Sequence, residues 1–192
     1  MKRNTDLDFI RAILIILMIL IHIVSFGNAY PHLKAGILSF MMPTFLIITG
    51  YLVNIEKTGR QMGNYLKCLA LPYVIMVTGF SVLSYYMPVR DGITELSLSQ
   101  IGEKIFITSI GPYWFIQTMI ICGTLYYFCF SGRNWNDLRK NYTKRDTYAS
   151  LFVFAVTLLL ISETPALSAS AAAYYFIGVA IRQSKMEWSK LF

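Results

Sequence analysis

Two residues whose types could do chemistry stand inside one apolar run, LDFIRAILIILMILIHI (7–23): Arg11 near its start and His22 near its end. A guanidinium holds a phosphate-bearing ligand through bidentate, charge-assisted hydrogen bonds, and a neutral imidazole can take a proton from a hydroxyl. Ionisable groups inside a bilayer are costly, and where they persist they face a protein interior or a watery path. Eleven positions separate the two. At about 3.6 residues per turn that is close to three turns, so both side chains leave one helix face, roughly 16 Å apart along the axis. They cannot be an ion pair. They mark two depths of one stripe, an anion-holding end and a proton-accepting end. Each also has a plainer reading: Arg11 reaching back to the near interface, and His22 as a satisfied polar residue at the far one.

The elements that must position such a stripe are membrane helices. Of 192 residues, 56% are hydrophobic and only 14% charged, which excludes an ordinary soluble domain. The net charge of +7 lies between apolar runs rather than on one basic face, so it points to membrane orientation and not to nucleic acid. Cys68, Cys122 and Cys129 all sit in apolar segments, without CxxC spacing, and read as buried apolar residues rather than disulfide or metal ligands. No metal is expected.

A span needs about 20 apolar residues of helix. Six stretches qualify in outline: 9–26, 35–53, 68–87, 111–130, 147–162 and 164–181. The last two are the weakest and could form a hairpin turning at Glu163. Pro43 predicts a kink in the second. Lys2 and Arg3 give the start a signal-peptide flavour, but Arg11 interrupts it and further spans follow, so the first helix reads as retained. With the N-terminus inside, the inner segments carry thirteen Lys and Arg and the outer ones three. The expected fold is therefore all-α, with about six transmembrane helices and both termini cytoplasmic. Residues 89–110 mix polar and apolar side chains and could form either an amphipathic helix lying on the outer surface or an ordered loop.

The motifs resemble those of the membrane acyltransferase 3 family. Leu7-Asp8 followed by Arg11, ten residues and His22 matches that family's first-helix signature. MMPTFLIITGYLV (41–53) looks like its second-helix motif, with Thr49 in place of serine before Gly50-Tyr51. YLKCLALPYVI (65–75) resembles its basic loop entering a proline-containing third helix, and GPYWFIQTMI (111–120) its Trp-Phe-Leu motif, with Ile116 for leucine. The resemblance implies a multi-pass cell-membrane enzyme of about ten spans. On that basis residues 1–192 would be an acyltransferase domain incomplete at its C-terminal side, completed by further helices or a second chain. It also implies transfer of an acyl group, commonly acetyl from acetyl-CoA, to a hydroxyl of an extracytoplasmic carbohydrate or lipid-linked glycan. Arg11 would hold the acyl-CoA donor and His22 would act as the catalytic residue near the acceptor hydroxyl, by direct transfer. The alternative is a truncated, non-catalytic membrane protein or a transporter-like module.

Other polar residues carry weaker expectations. Asp8 could orient Arg11 but reads more simply as an acid near a helix N-terminus. Trp114 suits an interfacial belt. Tyr51 fits packing as well as an acceptor route. Glu163 belongs in a turn, and His32 in an outer loop.

Overall fold

The structure is a computed structural model that describes residues 5–55, 57–87, 89, 91–131 and 144–184, with only the backbone described at Val24, Ser131 and Lys144. Among these residues the regular elements are all helical. The chain divides into two compact units, one of Met1–Leu52 with Tyr174–Phe192, the other of Val53–Ala173.

In the first unit, helix α1 (Thr5–His22) buries Leu7, Leu14 and Ile21, a seven-residue repeat that makes one narrow stripe. That stripe packs against α3 (Pro31–Leu52), which buries Ile37, Met41, Phe45 and Ile48 at helical spacing. The expected span at 9–26 is not continuous. Ile23 adopts an extended conformation, its N–H bonds back to the Leu20 carbonyl at 3.2 Å, and a short α2 (Val24–Ala29) follows. The β-branched neighbours Ile21, Ile23 and Val24 weaken helix propensity at that point. Helix α3 begins at Pro31, four residues earlier than expected, because a proline loses nothing at a first helical position. His32 therefore lies in a helix and not in a loop. Pro43 sits inside α3 without ending it, and the Thr44 and Thr49 hydroxyls donate to the Phe40 and Phe45 carbonyls at 2.7 and 2.8 Å.

In the second unit, α4 (Gly59–Tyr86) starts nine residues before the expected position. Thr58 explains this: its hydroxyl accepts from the Gln61 N–H at 3.4 Å, and the Gln61 side chain accepts from the Thr58 N–H at 3.1 Å. This reciprocal capping box fixes the start, so Arg60 and Lys67, expected in a basic loop, belong to the helix. An amphipathic α5 (Leu98–Phe106) does form within 89–110 and packs on α4. Gly111, with φ +57°, then turns the chain through a 3-10 turn (Gly111–Tyr113) into α6 (Trp114–Ser131). Helix α6 packs against α4 and against α7 (Lys144–Ser162), where the Tyr126 ring lies 5.7 Å from that of Phe154. Glu163 is exposed in the turn that follows, as expected. Helix α8 (Ala169–Gln183) spans 15 residues.

Among the described residues, four helical stretches are long and apolar enough to cross a membrane: Pro31–Leu52, Gly59–Tyr86, Gly111–Phe130 and Arg145–Ser162. Helix α1 has 18 residues but carries Asp6, Asp8 and Arg11, and α8 is short. The fifth expected span is thus stronger than its sequence suggested, and the first and sixth weaker. Much of the charge behind the expected orientation, on Lys2, Arg3, Arg90, Arg133, Arg139, Lys140, Lys185 and Lys190, lies outside the described residues.

Candidate functional site

Helix α1 is unbroken from Thr5 to His22, so the Arg11–His22 spacing survives as about three turns and roughly 16 Å along the axis. Both side chains are exposed and flank the buried Leu7–Leu14–Ile21 stripe on the same side. The helix ends on His22, one residue before the backbone breaks. There the His22 Nδ1 lies 2.7 Å from the Met18 carbonyl oxygen. A carbonyl only accepts, so Nδ1 carries the hydrogen in this contact, and in the neutral ring Nε2 presents the lone pair. An imidazole fixed in that way can receive a proton at Nε2. Spacing rules gave no hint of this contact, because it depends on the local helix end.

Asp8 and Asp6 occupy the first turn of α1, where carboxylates oppose the positive end of the helix dipole. Trp114 opens α6, exposed, with its ring edge-on to Phe115 at 6.2 Å. His32 is exposed in the first turn of α3. Among the cysteines, Cys122 is buried but Cys68 is exposed, against the expectation that all three would be inside.

The Gly50-Tyr51 pair acquires a packing role. A Cβ on Gly50 would collide with the Tyr175 carbonyl, and one on Gly178 would collide with the Ile47 carbonyl. Each glycine lets the other helix's backbone approach, the usual device for tight crossings of membrane helices. Arg182 adds to it: its Nη1 donates to the Tyr51 carbonyl at 2.8 Å, a cation placed on the carbonyl-rich end of α3. Sequence reasoning missed both Gly178 and Arg182. A lone glycine within the apolar run of α8 was the available signal.

A chain whose described elements are all helical, several of them of membrane length and the first carrying arginine and histidine three turns apart, is an integral membrane protein. The chain belongs to the acyltransferase 3 family, whose acyltransferase domain matches residues 4–192. No curated protein and no solved structure matches it.

Proposed function

We propose that the chain is a membrane O-acyltransferase that moves an acyl group, most simply acetyl, from acyl-CoA to a hydroxyl of an extracytoplasmic carbohydrate or lipid-linked glycan in the cell membrane. The observation that carries this reading is the contact of His22 Nδ1 with the Met18 carbonyl at the end of the helix that also carries Arg11. In the reaction, His22 Nε2 takes the proton of the acceptor hydroxyl as its oxygen attacks the thioester carbonyl. The carbon–sulfur bond then breaks, and the leaving thiolate receives the proton back, so ester and free CoA result. Arg11, about three turns away, holds phosphate of the donor at the cytoplasmic end of α1. The pantetheine arm of CoA spans the separation between the two, so position rather than a covalent enzyme intermediate supplies the rate.

Six spans with both termini cytoplasmic would put Arg11 on the side where acyl-CoA is made. The exposure of Arg11 and His22 supports a further element of the proposal: other helices, in this protein or in a second chain, wall the cavity on that side. Membranes containing the protein, given acyl-labelled acetyl-CoA and a panel of glycan acceptors, are expected to accumulate hydroxylamine-labile label on the acceptor. Label confined to free acetate or to the protein would reject the reading.

A further inference from the structure

Helix α5 carries exposed apolar residues at both of its ends. Leu98 is 90% exposed, Phe106 75% and Ile107 46%, an unfavourable display for a helix surrounded by water. Its course along α4 explains them. Near one end of α4, Ser84 Oγ accepts from the Ile93 N–H at 3.1 Å; further down, the Tyr73 hydroxyl donates to the Ile105 carbonyl at 2.8 Å. From Ser84 to Tyr73 is about 16 Å of helix, so α5 runs down the side of α4 rather than across its end.

The depth of that descent follows from length. Helix α4 has 28 residues, about 42 Å, against a hydrocarbon core of about 30 Å. Tyr73 lies about 20 Å from the Tyr86 end. If all the surplus length of α4 projected from the membrane at that end, Tyr73 would still sit about 8 Å inside the hydrocarbon. Any other placement in which α4 crosses the whole core sets it deeper.

The carbonyls at the lower end of α5 are treated as a buried helix end must treat them. The last carbonyls of a helix have no partner within it, and in water the solvent would serve. Here two side chains that are themselves almost fully buried are spent on them. Tyr73, 3% exposed, takes Ile105; Gln117, 6% exposed on α6, donates through Nε2 to the Phe106 and Ile107 carbonyls at 3.2 and 3.3 Å. Non-helical backbone at membrane depth requires such partners. The two charges near the tip are of opposite sign and share one hydroxyl: Lys104 donates to Thr108 Oγ1 at 3.4 Å, and Thr108 donates to Glu103 at 3.3 Å. The dip therefore carries no net charge. Ile110, fully buried against Tyr73 and Val77, starts the return toward α6.

We infer that α5 is a re-entrant helix that dips into the leaflet at the Tyr86 end of α4 and lays Leu98, Phe106 and Ile107 against lipid acyl chains. The test uses the full chain in phosphatidylglycerol–phosphatidylcholine vesicles, with Cys68, Cys122 and Cys129 replaced by alanine. Bimane is attached at Phe106→Cys or at Glu95→Cys. The label at 106 is expected to be quenched by lipids brominated along their acyl chains and several-fold less by aqueous iodide than the label at 95. Equal iodide quenching at both positions would overturn the inference. An independent arm keeps the native cysteines and places benzophenone-alanine at Phe106. Lipid crosslinking comparable to that from the same group at Ile75, exposed on α4, is expected; none at 106 with a signal at 75 would overturn it.

Discussion

The Nδ1 of His22 and the carbonyl oxygen of Met18 lie 2.7 Å apart, a contact made one turn back along the same helix at the point where α1 stops. It assigns a hydrogen to Nδ1, which in the neutral ring leaves Nε2 as the acceptor. Met18 contributes only its backbone, so the side chain there is free to vary. Met18→Leu is expected to keep acyl transfer within about twofold of the parent, as volume-conserving apolar exchanges usually do. Loss of transfer in a well-inserted Met18→Leu protein would mean that the methionine side chain matters, not its carbonyl.

Arg11→Lys keeps the charge and removes the fork. The proposed bidentate contact to a donor phosphate would then become a point contact, and the apparent KM for acetyl-CoA is expected to rise on the order of tenfold, with kcat less affected. Steady-state rates against acetyl-CoA concentration decide it. An unchanged KM would separate Arg11 from the donor.

Orientation is open to reporters. Alkaline phosphatase fused after Phe192 is expected to be inactive and green fluorescent protein at the same point bright, because both termini are proposed to be cytoplasmic. The opposite pattern would discard the six-span arrangement.

The two classes of glycine in the fold should behave differently. A Cβ at Gly79 meets nothing within 4 Å, so Gly79→Ala is expected to stabilise α4 by about 0.5–1 kcal/mol. Gly178→Ala drives a methyl into the Ile47 carbonyl and is expected to lower the melting temperature of detergent-purified protein. Equal melting temperatures for the Gly178 variant and the parent would show that α3 and α8 do not cross there.

Thr58→Ala removes half of the capping box that begins α4, with an expected cost of about 1 kcal/mol. Faster amide exchange at Gln61, whose N–H loses the Thr58 hydroxyl, with the middle of α4 unchanged, is the local signature. Uniform exchange along the helix would deny the cap its role.

Much of this was legible from residue types. The apolar runs at 35–53, 68–87 and 111–130 became helices because a bilayer leaves the backbone few other choices. Arg11 and His22 share a face because helical geometry requires it. What escaped was local or long-range. Thr58-x-x-Gln61 is a readable start signal, and reading it would have moved the α4 boundary from 68 to 59. The break at Ile23 has no proline or glycine to announce it, only three β-branched residues. The Gly50–Gly178 crossing joins residues 128 positions apart, and no single-sequence pattern reports such a contact. The depth of α5 was hidden for the same reason: it rests on Tyr73 and Gln117 meeting carbonyls from another segment.

The central claim is that His22 takes the proton from the acceptor hydroxyl. It is tested most directly by His22→Ala in membranes of cells that make the acceptor, with insertion and amount matched to the parent by immunoblot. Transfer of labelled acetyl from acetyl-CoA is expected to fall by about 10²–10⁴-fold, the usual contribution of a positioned general base. Transfer by His22→Ala within a few-fold of the parent would contradict the account.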